Sequence, residues 1–227
     1  MPSRNIRKTY IKGGIYHVYN RGVEKRNIFL DDQDYHVFLG YLRDALAPPS
    51  LRKKGKKTFK IKSTVFRGIA RPVKNFSGRI ELLAYCLMPN HFHLLIRQKD
   101  ERTMKEFMQS IATRYSMYFN KKRKRVGSLF QGIYKAVLVT EEPYLLHLSR
   151  YIHTNPEEYT ANLVEAYSSY GEYIGRRTTD WIKPDVILAF FKKTTVPLLH
   201  SVTSYKNFIE EYKTDSASLL GRMTLEE

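Results

Sequence analysis

Cysteine is nearly absent from this 227-residue sequence, in which Cys86 is the only one. An internal disulfide is therefore excluded, and so is a structural zinc site built on several thiolates. Long apolar runs are also missing, since none approaches the roughly 20 residues that span a bilayer. The basic N-terminal segment lacks the apolar core of a secretory signal. We therefore expect a cytoplasmic protein that is not embedded in a membrane.

Acidic residues are scarce as well: 22 Asp and Glu stand against 39 Lys and Arg, for a net charge of +17. An excess of this size is typical of proteins that bind a polyanion, most commonly nucleic acid. The sequence also contains 17 tyrosines and 12 phenylalanines, whose rings can stack on unpaired bases where they are not in the core. A basic protein that binds nucleic acid without specificity is the alternative that composition leaves open.

Hydrophobic periodicity predicts the main elements in the order β-α-β-β-α-β-α. They cover residues 14–19, 33–46, 79–88, 91–98, 103–125, 133–139 and 141–159. Asp31 or Asp32 is expected to cap the first helix, and Pro48 and Pro49 are expected to end it. The order is that of the split βαβ, ferredoxin-like α+β fold, in which two helices cover an antiparallel sheet.

Two segments lie outside this pattern. Residues 50–79 contain eleven Lys or Arg and no acidic residue. This composition predicts a basic insertion, formed as a hairpin, that contacts DNA or remains a solvated loop. Beyond residue 160 the chain is rich in tyrosine and mostly helical in pattern. We therefore predict a main domain over 1–160, which includes the insertion, and a helical C-terminal extension over 161–227.

Two histidines interrupt the apolar segment MPNHFHLLI, directly after a predicted turn. Side chains alternate faces along a strand, so His91 and His93 point the same way, about 7 Å apart. Two imidazoles at this spacing can converge on one metal ion, whose third ligand must then come from another element. The alternative is a pair of hydrogen-bonded structural histidines.

Five segments form a recognisable set of motifs. They are GGIYHVYNRGVEKRNIFLDDQDY, YCLMPNHFHLLI, MQSIATRYSMYFN, GSLFQGIYKAVLV and YLLHLSRYIHTNPEEY. Together they resemble the single-tyrosine HUH transposases of small bacterial insertion sequences, and in particular the branch of REP-associated tyrosine transposases. The resemblance extends from residue 7 to about residue 175. The combination of MPNHFHLL with RYIHTNP at this separation is specific, whereas each fragment alone is not.

The resemblance implies the chemistry of a site in the main domain. In that family the His-hydrophobe-His triplet, here His91 and His93, binds a divalent metal. A tyrosine on the helix after the last strand attacks a phosphodiester of single-stranded DNA, and the motif match makes Tyr151 that nucleophile. The third metal ligand, four positions later, is Asn155. Residues four apart share a helix face, and a neutral amide oxygen suits Mg²⁺ or Mn²⁺. The implied intermediate is a 5′-phosphotyrosine with a free 3′-hydroxyl.

Three alternatives to these assignments remain in the sequence. Tyr115 and Tyr118 are rival nucleophiles, although both lie on an apolar helix stripe that predicts core positions. Asn155 precedes Pro156 near the end of a predicted helix, so a C-terminal cap is its other role. A zinc-structured protein is weakly supported, because the sequence has no Cys/His quartet.

Basic and polar residues near these motifs are the predicted DNA contacts. They are Arg21, Arg114, the five adjacent cations Lys121, Lys122, Arg123, Lys124 and Arg125, and also Gln131 and Arg150. Part of the run of cations also suits the negative end of a helix dipole. The resemblance implies single-stranded DNA on the bacterial nucleoid as the partner, in the form of a hairpin or repeat end of a mobile element or a REP-like repeat. The C-terminal extension favours a monomer over a homodimer.

The sequence therefore predicts an enzyme: a transposase-like, metal-dependent endonuclease and strand transferase that acts on single-stranded DNA. The alternative is a non-catalytic single-stranded nucleic-acid-binding protein derived from such a transposase. Ferredoxin-like sheets with basic, aromatic surfaces also bind nucleic acid passively, and a fold alone does not establish a reaction.

Overall fold

Strands and helices follow one another along the chain in the order that hydrophobic periodicity predicts, with further elements in the insertion and the C-terminal extension. The computed structural model describes residues 9–51, 56–61, 64–69, 73–192, 204–211 and 220. The strands are β1 (Ile15–Arg21), β2 (Lys56–Ile61), β3 (Thr64–Ile69), β4 (Ile80–Met88), β5 (His91–Gln98) and β6 (Lys135–Val139). The helices are α1 (Asp32–Leu46), α2 (Thr103–Lys122), α3 (Glu142–Thr154), α4 (Tyr170–Tyr173), α5 (Asp185–Lys192) and α6 (Tyr205–Glu210).

The central sheet has four antiparallel strands in the spatial order β4-β5-β1-β6. β1 pairs with β5 on one side and with β6 on the other, and β4 pairs with β5 across a tight turn at residues 89–90. Because β5 lies between β1 and β4, these strands form a split βαβ unit. The predicted ferredoxin-like α+β fold with an antiparallel sheet is confirmed.

Helices cover both faces of this sheet. One face packs against α1 and α2, and its core includes Val18 and Phe92. The other face packs against α3 and the C-terminal helices, and its core includes Cys86 and Leu95. Neighbouring residues of a strand point to opposite faces, so this division determines which strand residues can meet α3.

Helix α1 begins at a side-chain cap, as its sequence predicts. The Asp31 side chain accepts a hydrogen bond from the Asp34 amide at 3.1 Å, which makes Asp31 rather than Asp32 the cap. Ala47 closes the helix directly before the two prolines. A proline cannot donate the backbone hydrogen bond that would continue a helix, so the end at this position has a local cause.

Helix α2 ends at Lys122, three residues before the predicted end at Arg125. Lys124 has a φ of 51°, and the Arg125 amide donates to the Asn120 carbonyl at 2.8 Å. A left-handed residue with such a bond closes a helix and turns the chain away. The last three cations of the basic run therefore lie on a loop beyond the helix.

The basic insertion contains the predicted hairpin. β2 and β3 pair with each other as a separate two-stranded antiparallel sheet. Residues 52–55, 62–63 and 70–72 of the insertion lie outside the described residues. The last part of the segment is not a solvated loop, the alternative that the sequence left open, because Phe76 is fully buried and its amide donates to the Ala45 carbonyl at 2.7 Å. The core therefore resumes before residue 79.

The C-terminal extension packs along β4. The Tyr85 amide donates to the Ser169 hydroxyl at 2.8 Å, and the Lys183 amide donates to the Leu82 carbonyl at 2.9 Å. The predicted helical segments are present as α5 and α6, while residues 193–203, 212–219 and 221–227 lie outside the described part of the chain. The domain division at residue 160 stays a prediction. Among the helices that the structure describes, none is both long enough and apolar enough to cross a membrane.

Candidate functional site

The candidate site lies on the sheet face that packs against α3. β5 directs His91 and His93 to this face, and β1 directs His17, Tyr19 and Arg21 to it. In the register of the two strands, Tyr19 is opposite His93 and Arg21 is opposite His91. Two neighbouring strands thus bring imidazole, phenol and guanidinium groups together at the sheet end that carries the β4–β5 turn.

His17 is the buried partner of His93. Its Nε2 atom lies 2.8 Å from Nδ1 of His93, and the two rings stack with centroids 5.0 Å apart. Burial and nearby cationic groups hold the pKa of His93 well below its usual range, so the ring is neutral at pH 7. A neutral His93 that donates its Nδ1 proton to His17 keeps a lone pair on Nε2. That Nε2 atom is buried and has no hydrogen-bond partner among the described residues.

The tautomer of His91 is set by Asn90. Nδ1 of His91 lies 2.5 Å from Oδ1 of Asn90, an oxygen that can only accept, so His91 donates from Nδ1. The Asn90 amide nitrogen donates to the Lys25 carbonyl at 3.3 Å, which agrees with this orientation of the amide group. Burial, followed by the charge of Arg21, lowers the pKa of His91 to about 4. At neutral pH, the Nε2 atom of His91 is therefore unprotonated and its lone pair can bind a metal ion.

Helix α3 places Tyr151 against the buried histidines. Its ring stands edge-on to those of His93 and His17, with centroid distances of 5.5 and 6.3 Å. The helix is amphipathic, and apolar residues such as Leu148 and Ile152 hold it on the sheet. Tyr151 is 7% exposed. The predicted nucleophile and one of the predicted metal ligands are thus neighbours within a single chain.

Asn155 lies at the C-terminal end of α3. Its side-chain nitrogen donates to the Tyr151 carbonyl at 2.7 Å, so the capping role that the sequence left open is present. This bond does not use the side-chain oxygen, which is the atom that can bind a metal. Within the described residues, no group of three or more His, Cys, Asp and Glu is arranged to hold a metal ion. A third ligand therefore has to be an amide oxygen, water or a group of the substrate.

The donor set nevertheless fits a divalent metal. His91 and His93 are both neutral at pH 7, and His91 carries an unprotonated Nε2. The Nε2 of His93 is buried without a partner among the described residues, and it is unprotonated in the tautomer that donates from Nδ1 to His17. Metal-binding histidines commonly donate the other ring N–H to a fixed acceptor. Asn90 is such an acceptor for His91, and His17 can be one for His93 when its own Nε2 is unprotonated.

His17 and Lys135 belong to the site although neither was singled out from the sequence. The Lys135 ammonium lies 5.7 Å from the centroid of the Tyr19 ring, and that ring lies 4.8 Å from His17. Alternation along β1 was the available signal for His17, which shares a strand face with Arg21. The position of Lys135 could not be predicted in this way, because hydrophobic periodicity does not determine the register of β6 against β1.

Two of the predicted DNA contacts, Arg21 and Gln131, lie at the site. The Gln131 amide donates to the Arg21 carbonyl at 2.9 Å, which ties the loop before β6 to the end of β1. Gln131 is exposed and Arg21 is half-buried. Lys121 and Lys124 are exposed at the end of α2, and Arg125 donates to a neighbouring asparagine at 2.7 Å.

Lys122 and Arg123 are engaged in ion pairs inside the protein. Both contact Asp31 and the buried Asp34, at distances between 2.7 and 3.1 Å. The hydrogen bond from Lys122 is the main cause that lowers the pKa of Asp31 to about 2. These two cations fasten the end of α2 to the start of α1, which is a structural role.

Arg114 and Arg150 are also bonded within the chain. Arg114 pairs with Asp44 at 3.3 Å and lies over the Tyr41 ring, between α1 and α2 on the other side of the sheet. Arg150 donates to two carbonyls at α6, those of Phe208 at 2.9 Å and of the following residue at 3.3 Å. A DNA contact at either position would compete with these bonds.

Comparisons with known proteins bear on the family and on the fold. Residues 54–155 match a family described as IS200-like transposases. The chain is similar to the solved structure of a REP-associated tyrosine transposase bound to a REP hairpin, with 16% identity, a TM-score of 0.50, and coverage of 80% of this chain and 92% of that one. It is also similar to a candidate transposase from Deinococcus radiodurans, with 14% identity, a TM-score of 0.36, and coverage of 67% and 95%. No curated protein matches the sequence significantly.

The structural similarity to the REP-associated transposase supports the fold, whereas the second similarity is too weak to support an argument. The matched segment includes β4, β5, α2, β6 and α3, and with them His91, His93, Tyr151 and Asn155. The expected resemblance is thereby confirmed. Over residues 54–155, this chain is therefore similar to the IS200-like transposase family.

Proposed function

We propose that the protein is a strand transferase that cleaves and rejoins single-stranded DNA, with Tyr151 as the nucleophile and a divalent metal held beside it. The observation that carries this proposal is the position of the Tyr151 ring, 5.5 Å from the ring of His93, whose buried Nε2 has no partner in the described residues. A phenol next to bare imidazole nitrogens suits a metal-assisted attack on a phosphodiester. The match of residues 54–155 to a family of transposases agrees with a DNA substrate.

His91, His93 and the side-chain oxygen of Asn155 would hold the ion. Imidazole nitrogen and amide oxygen are ligands that Mn²⁺ and Mg²⁺ both accept, and substrate oxygens or water complete their coordination. When bound, such an ion draws charge from a non-bridging phosphate oxygen and so favours attack at phosphorus. Asn90 holds His91 in the tautomer with an unprotonated Nε2, and His17 would do the same for His93 by accepting from its Nδ1.

The reaction starts from the hydroxyl of Tyr151. A bond forms between the phenolic oxygen and phosphorus, and the bond from phosphorus to the 3′-oxygen of the DNA breaks. The phenol gives up one proton and the departing 3′-oxygen gains one. The products are a 5′-phosphotyrosine on the enzyme and a free 3′-hydroxyl. A second DNA 3′-hydroxyl can reverse the step and join strands without ATP, because one phosphodiester has been exchanged for another.

We propose two groups of DNA contacts. Arg21 and Gln131 lie at the site, and the cations Lys121, Lys124 and Arg125 lie at the end of α2. Lys122, near the end of α2, contacts Asp31, and the nearby amides of Ile28 and Phe29 donate to the Pro89 carbonyl in the β4–β5 turn. These cations therefore lie at the same end of the sheet as the histidines. The REP-associated transposase of the structural comparison is bound to a REP hairpin. We therefore propose a hairpin or repeat end as the substrate of this chain.

One chain is proposed to form the complete site. Tyr151 lies against His93 and His17 of its own chain. No second copy is needed to supply the nucleophile, which agrees with a monomer.

Covalent capture of DNA tests the proposal. Single-stranded oligonucleotides from the DNA that flanks the gene are labelled at the 3′ end, because a 5′-phosphotyrosine retains that fragment. With Mn²⁺ we expect a protease-sensitive adduct on denaturing gels for the wild-type protein and none for Tyr151→Phe. Tyr144→Phe is the matched control, since it removes a hydroxyl from the same helix and should leave the adduct intact. An adduct formed by Tyr151→Phe would show that the nucleophile is another residue.

A passive single-strand binding protein is the second candidate, and the burial of Tyr151 favours it. Tyr151 is only 7% exposed, so little of this residue is open to DNA. This candidate is supported if the wild-type protein binds the labelled oligonucleotides but forms no adduct with either Mg²⁺ or Mn²⁺.

A further inference from the structure

We propose that Lys135 binds the DNA phosphate that adjoins the scissile one, on the side of the site toward the β6 edge of the sheet. This inference deepens the proposed function and rests on it, because the scissile phosphate is the one placed at His91 and His93. It adds a positioning residue for the DNA strand, and it requires a charged phosphate beside the cleaved bond.

Lys135 lies in one row with His93 across three neighbouring strands. In the register of the central sheet, Tyr19 on β1 is opposite His93 on one side and opposite Lys135 on the other. Neighbouring strands are about 4.8 Å apart, so the backbones of Lys135 and His93 are separated by roughly 10 Å. A phosphate that Lys135 contacts is therefore a neighbour of the phosphate at the histidines.

The Lys135 side chain points to the sheet face that carries the candidate site. The next residue, Ala136, belongs to the core of the opposite face, and side chains alternate along a strand. The Lys135 ammonium lies over the Tyr19 ring, 5.7 Å from its centroid, and this centroid is 6.0 Å from that of the His93 ring. An aromatic face attracts a cation at such a distance. Tyr19 thus holds the ammonium beside the site and separates it from His93.

The charge of Lys135 is available to a ligand. The residue is exposed, and within the described part of the chain it forms no ion pair. Lys122, in contrast, is paired with Asp31 and Asp34. An ammonium group offers three donors and a full positive charge, and the anion that the proposed substrate brings to this place is phosphate.

The two edges of the sheet differ in what covers them. The β4 edge is bonded to the C-terminal extension, where the Lys183 amide donates to the Leu82 carbonyl at 2.9 Å. β6 is the other edge strand, and Gln131, one of the proposed DNA contacts, lies in the loop that leads into it. A DNA strand that runs from the histidines toward β6 passes Tyr19 and then reaches Lys135.

A lysine on an edge strand has an alternative role, which is to prevent the edge from pairing with another sheet. That role requires a charge at the edge but no contact with a particular phosphate. Dependence on one phosphate of the DNA therefore distinguishes the two roles.

Methylphosphonate interference tests the contact. A methylphosphonate replaces one charged phosphate oxygen by a methyl group, and it is placed at one position at a time in a single-stranded oligonucleotide that forms the adduct. Binding is measured with Tyr151→Phe, so that no cleavage occurs. We expect a methylphosphonate next to the mapped cleavage site to weaken binding by about 2- to 5-fold. When Lys135→Ala is added to Tyr151→Phe, the same methylphosphonate should have no effect, because its partner is already absent.

Two further variants and the salt dependence complete the test. Lys135→Arg keeps a cation at this position and should keep the interference. Lys105→Ala removes an exposed lysine from α2, which covers the other face of the sheet, and should leave the interference pattern unchanged. Lys135→Ala should also reduce the log–log slope of affinity against salt by about 0.7, the loss of one phosphate contact.

The possible outcomes separate this inference from the proposed function. An interference pattern that Lys135→Ala does not change would overturn the inference and leave the lysine with the edge-strand role alone. A Lys135-dependent phosphate that does not adjoin the cleaved bond would overturn its placement. In both cases a Tyr151 adduct would still support the proposed function. If the wild-type protein forms no adduct with any oligonucleotide, the proposed function is wrong, and so is the place of Lys135 beside a cleaved bond.

Discussion

His17 is the residue on which the state of His93 depends, because it faces Nδ1 of that ring at 2.8 Å. Replacement by phenylalanine keeps an aromatic ring and removes the acceptor. We expect His17→Phe to reduce Mn²⁺ affinity by about 10- to 100-fold, the usual effect of losing an outer-shell partner of a metal ligand. Calorimetric titration of the protein with Mn²⁺ measures this. His36→Phe, at an exposed position on α1, is the control and should bind Mn²⁺ as the wild type does. Equal affinity for His17→Phe would mean that another group sets the His93 tautomer.

Asp34 is a buried carboxylate that accepts hydrogen bonds from four residues. The donors are the side chains of Lys122 and Arg123, the Leu30 amide and the Tyr118 hydroxyl. Burial by itself raises the pKa of Asp34, but the bonds from Lys122 and its neighbours more than offset this, and the pKa lies below its usual range. The ionised form is therefore the one that the fold stabilises.

This shift predicts how stability depends on pH. A carboxyl whose pKa is lower in the folded than in the unfolded state contributes fully above its unfolded pKa of about 4. The contribution is lost as pH falls through the lower folded pKa, so the unfolding free energy should decline as the pH falls below about 4. Asp31, with its pKa lowered to about 2, adds to the decline.

Urea unfolding of Asp34→Asn checks the assignment. The substitution removes the charge that Lys122 and Arg123 contact, and we expect the unfolding free energy at pH 7 to fall by about 1.5 to 3 kcal/mol. The decline below pH 4 should also become shallower. Asp180→Asn, at an exposed position, should change neither quantity. If the acid decline of Asp34→Asn matches that of the wild type, other groups cause it.

At the scale of elements, the sequence predicted the strands of the sheet because alternation and turn residues are local. The same local information put His91 and His93 on one strand face. It did not predict that β1 would bring the His17 side chain against His93, because the pairing of strands about 75 residues apart depends on the register of the whole sheet. The early end of α2 was missed for a related reason. Lys124 adopts a left-handed conformation, which is uncommon for residues other than glycine and which the sequence therefore did not indicate.

Helix α3 is held from behind by α6. Nδ1 of His153 lies 2.7 Å from the Tyr205 hydroxyl, which in turn donates to Ser149 at 3.1 Å. All three side chains are buried. Arg150 adds two bonds to carbonyls at α6. The helix that carries Tyr151 is therefore positioned by the C-terminal extension as well as by the sheet.

Removal of the Tyr205 hydroxyl should loosen this attachment. Tyr205→Phe leaves His153 and Ser149 without a common partner, and we expect the unfolding free energy to fall by about 1 to 3 kcal/mol. The rate of adduct formation through Tyr151 should fall as well, because an in-line attack depends on the position of the helix. Tyr144→Phe on α3 is the control for both measurements. A wild-type adduct rate for Tyr205→Phe would limit α6 to a stabilising role.

At the scale of the whole molecule, a net charge of +17 predicted a polyanionic partner but not which cations could reach it. Lys122 and Arg123 looked identical to their neighbours in the basic run. The structure pairs them with Asp31 and Asp34, about 90 residues away in the chain. Pairing over such a distance leaves no local pattern in the sequence. Which cations of the run are ion-paired and which are exposed could therefore be seen only in the structure.

Whether one chain or two form the site is a property of the whole molecule. A mixture of Tyr151→Phe, which lacks the nucleophile, with His93→Ala, which lacks a metal ligand, distinguishes the two. Because the Tyr151 and His93 rings of one chain lie 5.5 Å apart, each variant should be inactive alone and the mixture should form no DNA adduct. Light scattering should give the mass of one 227-residue chain. If the mixture recovers the adduct, a dimer places Tyr151 of one chain against the histidines of the other, and the site formed within one chain is then not the active one.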